Sequence, residues 1–444
     1  MSVPWGRNGT EAYALDFVDP AEIKPDPRNA RTHPAKQIGQ IERSITKNRW
    51  SNPILVDEAG VIIAGHARCL AARNLKLPAV PVIIIRGLTE AQKRSLRIAD
   101  NKIALNSGWD LDLLGREIRE LRAESPDLEI PGFEVGELDS MLLEPVDPEE
   151  EAIPPMAATA VSRSGDIWRI GSHRVICGDV REPSLLTQVV GGAKMDAAFL
   201  DPPYNVVVDG HAGGKGRTKH REFAMASGEM TPEEFAAFLG EALGACARVS
   251  RDGAVHFVCM DHHHVEELLQ AGRAVYGKRL NICVWNKSNA GMGALYRSKH
   301  ELVFVYRVGQ AQHFNAVQLG KYGRNRTNVW DAASVNTFGG ARSQDLELHP
   351  TVKPVGLVAD AIMDVTRRGE AVLDAFLGSG TTLIACERTG RVCFGAEIDP
   401  PYVDVAIERF FRVTGQRGVL ERTGETFKDV RDRRATEDRE TGDE

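Results

Sequence analysis

Several things are scarce in this 444-residue chain. Aromatic residues make up only 6% of it, and no apolar run approaches the roughly 20 residues needed to span a bilayer. The N-terminus has no charged-then-apolar leader, so the sequence reads as cytoplasmic, with no membrane partner. Seven cysteines are scattered without one C-x-x-C pair, which suits a reducing compartment and argues against a disulfide frame or zinc cluster. His262-His263-His264 follows Asp261, but adjacent histidines on a helix point in different directions and no Cys or carboxylate cluster completes a ligand set. No metal is expected there, only a helix start capped by Asp261.

What is present is ordinary in bulk and uneven in detail. The 42% hydrophobic and 26% charged residues suit a soluble chain of two or three domains. The net charge of −7 hides a strong asymmetry. Residues 111–170 carry fifteen acidic and five basic side chains, whereas 271–330 carry ten Lys/Arg and a single acid, Glu301. Lys215, Arg217, Lys219 and Arg221 add a second acid-free basic stretch. Surface fields are screened within about 8 Å at physiological salt, so local charge governs binding. With Trp285, Tyr296, Tyr306, Tyr322 and Trp330 interleaved, the segment 271–330 reads as a nucleic-acid surface.

Along the chain, residues 1–20 read as a loosely held arm. Residues 21–110 form a compact pattern: a helix near 35–48, short strands at Pro53–Val56 and Val61–Ala64, a helix opened by Gly65-His66-Ala67-Arg68, and a strand over Val80–Ile85. An acidic helical segment covers 111–143, and the Pro/Glu-rich stretch 144–162 reads as a linker. From 163 to 415 strands and helices alternate as in a doubly wound α/β sheet. The end, 428–444, is nearly all charged and reads as disordered.

Near the C-terminal end, the apolar strand Ala371–Asp374 runs into a turn in which Gly378 and Gly380 flank Ser379, and a helix begins at Thr381. Glycines there allow unusual dihedrals and close approach of a ligand to the main chain. The next strand, Val392–Ala396, ends in Glu397, 19 residues after Gly378, where a carboxylate can accept hydrogen bonds from ribose hydroxyls. Position 383 is Leu, so the third glycine of a dinucleotide fingerprint is missing, and no Lys follows the turn as in a Walker loop. The ligand of this type that remains is S-adenosylmethionine, which has a ribose and no phosphates. The bland alternative is a turn that merely joins strand to helix.

The tetrapeptide Asp-Pro-Pro-Tyr occurs twice, at 201–204 after the buried-strand pattern Met195–Leu200, and at 399–402 just after Glu397. The order of the first copy, a long basic region, His349-Pro350-Thr351-Val352-Lys353-Pro354 and then Asp-x-Phe-x-Gly-x-Gly resembles the β-class amino-methyltransferases of DNA over about 163–415. The resemblance implies a Rossmann-like S-adenosylmethionine-dependent fold acting on double-stranded DNA. It places Asp374, Phe376, Gly378 and Gly380 along the cofactor, Glu397 on its ribose, Asp179 on its adenine ring, and Thr351 and Lys353 on its methionine carboxylate. It puts target recognition at about 285–345 and favours adenine N6 over cytosine N4, because Asp201 opens the tetrapeptide. The second copy reads as structural, with Asp399 capping a helix.

The chemistry accounts for the first copy. An exocyclic amine is a poor nucleophile because its lone pair is delocalised into the ring. Asp201 can accept one amino hydrogen and a main-chain carbonyl of Pro202-Pro203 the other, aiming the lone pair at the sulfonium methyl. The prolines stiffen the loop in advance, and Tyr204 offers a face for the base, which must first be flipped from the duplex.

Residues 21–110 resemble the ParB/sulfiredoxin superfamily, a small α+β domain, on Asn29-Ala30-Arg31, Ser51-Asn52-Pro53-Ile54, Gly65-His66-Ala67-Arg68 and Ala99-Asp100-Asn101-Lys102. The resemblance implies nucleotide binding or DNA-associated switching. Gly65, His66 and Arg68 lie at a strand-to-helix turn suited to phosphate. A DNA-docking or homodimerising module without catalysis is the alternative. For the whole chain the expectation is adenine-N6 DNA methylation. Its rivals are N4-cytosine methylation at the same site, a nucleotide-sensing DNA-binding regulator with an inactive methyltransferase half, and RNA methylation.

Overall fold

The computed structural model describes residues 15–125, 130–133, 135–143, 146, 150, 152–157, 159–206, 228–288, 295–317, 324, 326–332 and 352–442. The chain divides into two compact units, Met1–Glu134 and Val135–Glu444.

The first unit is built on β1 (Leu15–Val18), α1 (Ala35–Asn48), β2 (Ile54–Val56), β3 (Ile62–Ala64), α2 (His66–Asn74), β4 (Val80–Ile84), α3 (Glu90–Ile103) and α4 (Leu111–Glu124). Its four strands lie in the order β1-β4-β2-β3. Ile54, Val56, Ile62 and Val82 bury their side chains with Ile23, Cys69 and Ala72, and Thr89 with Gln92 closes a capping box at the start of α3. The predicted arm needs correction here. Leu15–Val18 is a strand, paired antiparallel with Val80–Ile83.

The second unit contains α5 (Val135–Leu142), β5 (Ile167–Ile170), β6 (His173–Cys177), α6 (Leu185–Val190), β7 (Met195–Leu200), α7 (Pro232–Val249), β8 (Ser250–Met260), α8 (Val265–Val275), β9 (Lys278–Asn286), β10 (His300–Arg307) and β11 (Val329–Asp331). It continues with α9 (Val355–Val365), β12 (Ala371–Asp374), α10 (Thr381–Thr389), β13 (Val392–Glu397), α11 (Pro400–Thr414), β14 (Gly418–Leu420) and α12 (Phe427–Gly442). One ten-stranded sheet runs β11-β9-β10-β8-β7-β12-β13-β6-β5-β14. Its central five strands, β8-β7-β12-β13-β6, are parallel. β10 and β5 pair antiparallel at its two sides.

Both faces of the central strands are buried, because successive strand residues point to opposite sides. Ala197 and Phe199 pack with α9, α10 and α11 through Val358, Ile362, Ile384 and Phe410. Ala198 and Leu200 pack with α6 and α7 through Val189, Phe235, Leu239 and Leu243. Burying a side chain such as Phe235 or Phe410 stabilises the fold by about 2–3 kcal/mol. A capping box of Thr231 with Glu234, and Pro232 in the first turn, fix where α7 starts.

Three further expectations are corrected. The boundary is not a free linker at 144–162. The second unit begins at Val135, with Asp139 on α5 buried against Arg391 at 2.7 Å. Arg409 donates to the Glu150 main-chain oxygen at 2.7 Å, and Asp404 accepts from the main chain of Ser162 at 2.9 Å. The charged end is a helix, with Arg434 donating to Asp166 at 2.6 Å and Arg433 paired with Glu425 and Glu437. A highly charged segment orders here because its charges have fixed partners. The basic segment, finally, is in large part sheet. Trp285, Tyr306 and Trp330 are buried in the core, so they give no surface to nucleic acid. Tyr296 is exposed. Tyr322, the stretch 215–221 and the recognition residues 333–345 lie outside the described residues.

Among the described residues no helix is long and apolar enough to cross a membrane.

Candidate active site

The sheet order decides where the site lies. From β7 the chain crosses to β8 on one side, and from β12 it crosses to β13 on the other. The connections therefore diverge between β7 and β12, and in such a sheet the crevice opens outside the carboxyl ends of those strands. Asp201 follows β7 directly and Asp374 ends β12. Glu397 ends β13, and Gly178-Asp179 follows β6. Four neighbouring parallel strands thus deliver four carboxylates to one edge of the sheet.

Asp374 is buried and its Oδ1 accepts the Phe376 main-chain N–H at 3.0 Å. Burial pushes its carboxyl up to about 7, against hydrogen bonds from Thr382 and Phe376. Glu397 is likewise pushed up to about 7 by burial. Its Oε2 accepts from Gly378 N at 2.8 Å and its Oε1 from Asp399 N at 2.9 Å. Gly378 has φ +51° and Gly380 φ +85°, with Ala406 Cβ 3.0 Å from where a Gly380 side chain would begin, so the turn requires glycine at Gly380 on both counts. The buried Arg409 braces the turn, donating to Ser379 O at 3.3 Å and Thr381 Oγ1 at 3.2 Å. Nothing in the sequence singled Arg409 out.

At β6, both oxygens of Asp179 are held by Arg181, at 2.7 Å for the closest pair. Burial works to raise Asp179, but these hydrogen bonds and the guanidinium charge hold it below the usual carboxylate range. Asp399 stands at the N-cap position of α11, but its side chain makes no capping bond. Its main-chain oxygen instead accepts from Tyr402 and Val403. The second tetrapeptide serves the first turn of a helix and steadies Glu397 through a main-chain N–H.

The first tetrapeptide is the centre of a charged cluster. Tyr204 donates its hydroxyl to Asp201 Oδ1 at 2.7 Å, and Pro202 is buried and Pro203 partly so in the same loop. Lys353 Nζ lies 2.6 Å from Asp201 Oδ2 and 3.0 Å from Glu301 Oε2. Lys353, expected at the methionine carboxylate, has its ammonium on Asp201 in this structure. Lys287 pairs with the other oxygen of Glu301. Burial works to raise Glu301, but the two ammonium groups outweigh it and hold it at about 2. The signal for Glu301 lay in the sequence, as the lone acid among the ten cations of 271–330. Thr351 lies outside the described residues.

In the first unit, Gly65 has φ +103° and caps α2. His66 Nε2 accepts the Asp26 main-chain N–H at 3.3 Å, and burial with the neighbouring Arg97 pushes its ring down to about 4. His66 is therefore neutral and hydrogen-bonded within the fold. Arg68 is partly buried, and among the described residues its Nε has no hydrogen-bond partner. Arg31 donates to Asn101 at 3.0 and 3.1 Å, bringing two of the sequence signatures together.

The donor set at the glycine turn suits one ligand class. Two buried carboxylates, main-chain N–H groups and positive-φ glycines can hold a ribose and a cationic sulfonium, while two carboxylates would repel a polyphosphate. S-adenosylmethionine is a ligand of that class. Residues 195–408 match the DNA methylase family, 112–164 the ParB-methyltransferase HTH domain and 7–102 the ParB N-terminal domain. The ParB-like nuclease domain-containing protein YnaK of Escherichia coli K12 is 51% identical over 73 residues, 16% of this chain and 84% of that protein. The type II methyltransferase M.Cfr9I of Citrobacter freundii is 35% identical over 136 residues, 28% of this chain and 42% of that protein, so the chain spans less than half of that relative. The PvuII DNA methyltransferase, described as cytosine-N4-specific, superposes with a TM-score of 0.42 at 14% identity, over 63% of this chain and 96% of that one. The chain carries a DNA methylase domain of the N6/N4 class, with ParB-type domains ahead of it.

Proposed function

We propose that the chain methylates adenine N6 in double-stranded DNA. The observation that carries this is Asp201, seated with Tyr204 at the switch point of the sheet, one strand from Asp374 and two from Glu397. Bound along the glycine turn, S-adenosylmethionine supplies an electrophilic methyl group. Asp374, Phe376, Gly378, Gly380 and Glu397 would hold it, with Asp179 at the adenine end.

Asp201 accepts one hydrogen of the flipped adenine's amine, and a carbonyl of Pro202-Pro203 accepts the other. The nitrogen lone pair is then free to form the N–C bond as the S–C bond breaks. The proton released by the methylated amine passes to Asp201 and on to solvent. Tyr204 stacks on the base and offsets the few kcal/mol of unstacking.

Mass spectrometry of nucleosides from plasmid DNA incubated with protein and S-adenosylmethionine tests the reading. N6-methyladenine from the wild type and none from Asp201→Ala supports it. N4-methylcytosine keeps the mechanism and changes the base. Methylation of RNA but not DNA, or of neither, defeats it.

For the first unit we propose a bound nucleoside triphosphate, its phosphates on the N-terminus of α2 and on Arg68. Support comes from the match to the ParB N-terminal domain and the unpartnered Arg68 Nε. Binding of fluorescent nucleotides that survives Arg68→Ala unchanged would reject it.

A further inference from the structure

Lys353 has three ammonium hydrogens and three acceptors: Asp201 Oδ2 at 2.6 Å, Glu301 Oε2 at 3.0 Å and the Tyr204 hydroxyl oxygen at 3.3 Å. The Tyr204 hydroxyl reaches Glu301 as well, at 3.3 Å. Lys353 and Glu301 are both buried, so neither can exchange its partner for bulk water. Asp201 is therefore already occupied by an N–H donor where the amine of the base must donate. Left to a single carboxylate, a buried ammonium would hold Asp201 closed, because charge-assisted bonds in such surroundings are the strong ones.

We propose that Glu301 is a positioning residue for methyl transfer, sharing the Lys353 ammonium so that its bond to Asp201 Oδ2 can give way to the incoming amine while Tyr204 stays on Oδ1. Lys287 fixes Glu301 from the outer side and stacks over Trp285, 4.8 Å from the ring centre. Charges alternate along Lys287, Glu301, Lys353 and Asp201, and the base displaces only the last link. The inference rests on the amine-methylation reading of the same site.

Asp201 is faced by Tyr204 on its own loop, Lys353 before α9 and Glu301 on β10, with Cys259 on β8 and Asp374 at the end of β12 beyond them. Burial and the Glu301 charge raise Asp201, against the Lys353 ammonium. Removing Glu301's charge and removing Lys353's charge must therefore displace the acid limb of the reaction in opposite directions. A merely structural role has no such signature.

The test is single-turnover transfer of labelled methyl groups to plasmid DNA of mixed sequence across the acidic pH range, with cofactor binding measured by calorimetry. Glu301→Gln is expected to bind S-adenosylmethionine as the wild type does, to lose about tenfold in plateau rate, and to move the acid limb to lower pH. Lys353→Met moves the limb to higher pH and Lys353→Arg restores it. Should Glu301→Gln fail to fold, Lys287→Met reads the same device, moving the limb upward. Acid limbs that stay put, or move the same way in Glu301→Gln and Lys353→Met, overturn the inference while an active wild type leaves the functional reading standing. A wild type that binds cofactor and methylates no base overturns both.

Discussion

The Lys353 ammonium lies 2.6 Å from Asp201 Oδ2, although 152 residues of chain separate them. The two motifs that carry them therefore form one cluster, to which the proposed function gives the chemistry, and the glycine turn, to which it gives the cofactor, is a second on the adjoining strands. Separate substitutions should separate their effects. Asp201→Asn is expected to lower methyl transfer by about a thousandfold, the size of losing a group that acts only in the transition state. Cofactor affinity should stay within about twofold of wild type. Rapid-quench transfer and calorimetry on the same preparation check the two halves.

The second tetrapeptide makes the opposite prediction. Asp399 holds Glu397 through its main-chain N–H at 2.9 Å, and its side chain makes no cap bond. Asp399→Ala keeps that N–H. Methyl transfer by the folded variant should remain within about threefold of wild type, because the main-chain bond to Glu397 survives, and loss of this buried side chain should show in stability instead. A loss comparable to that of Asp201→Asn would show that the two copies share the work.

Glu397 and Asp374, both pushed up to about 7 by burial, give the cofactor a pH dependence. Their folded values lie above those of the unfolded chain. The stability they contribute is complete below the unfolded values and is lost as pH rises through about 7. With the ribose on Glu397 as proposed, its hydroxyls donate to the ionised carboxylate, so binding favours the deprotonated form and releases a proton. The thermal stabilisation given by saturating S-adenosylmethionine should be larger at about pH 8 than at about pH 6. Thermal shift with and without cofactor measures it, and Glu397→Gln should flatten the dependence.

The buried pair of Asp139 on α5 with Arg391 predicts a stability effect far from the chemistry. Asp139→Ala leaves the Arg391 guanidinium buried and short of a counter-charge. The expected cost is about 3–5 kcal/mol, read by denaturant unfolding of the full chain. Arg391→Met with Asp139→Leu together should recover most of it, since an apolar pair of similar volume asks for no desolvation.

Much of this architecture was readable in the sequence because it is local. Met195–Leu200 and Ala371–Asp374 are strands to the residue, as their apolar runs and following turns required, and α1 spans 35–48 as its periodicity did. What was not readable depends on partners distant in sequence. Charge alone marked 428–444 as unstructured, yet Asp166 and Glu425 supply partners that order it. The motif around Lys353 pointed to the cofactor, and its contact with Asp201, 152 residues away, was not readable from it. Aromatic residues among cations read as a surface when burial is unknown. In the fold, β9 and β10 turn Trp285 and Tyr306 inward and leave Tyr296 out.

That last distinction can be measured. Trp285 is buried, donates its indole N–H to Ala332 O at 2.9 Å and backs the two lysines of the active site. Trp285→Ala should cost about 3–5 kcal/mol of stability, as truncating a large buried aromatic does. Any change in DNA affinity should follow from that loss. Tyr296 is 83% exposed in a basic stretch with Arg297 and Lys299, and Tyr296→Ala should leave stability within about 0.5 kcal/mol. If the exposed ring stacks on a base, the same change weakens DNA binding by about 1–3 kcal/mol. Denaturant unfolding and fluorescence anisotropy on both variants decide the matter. Equal loss of DNA affinity from both, with stability intact, would place Trp285 at the DNA after all and reject the buried position as the one that matters in the complex.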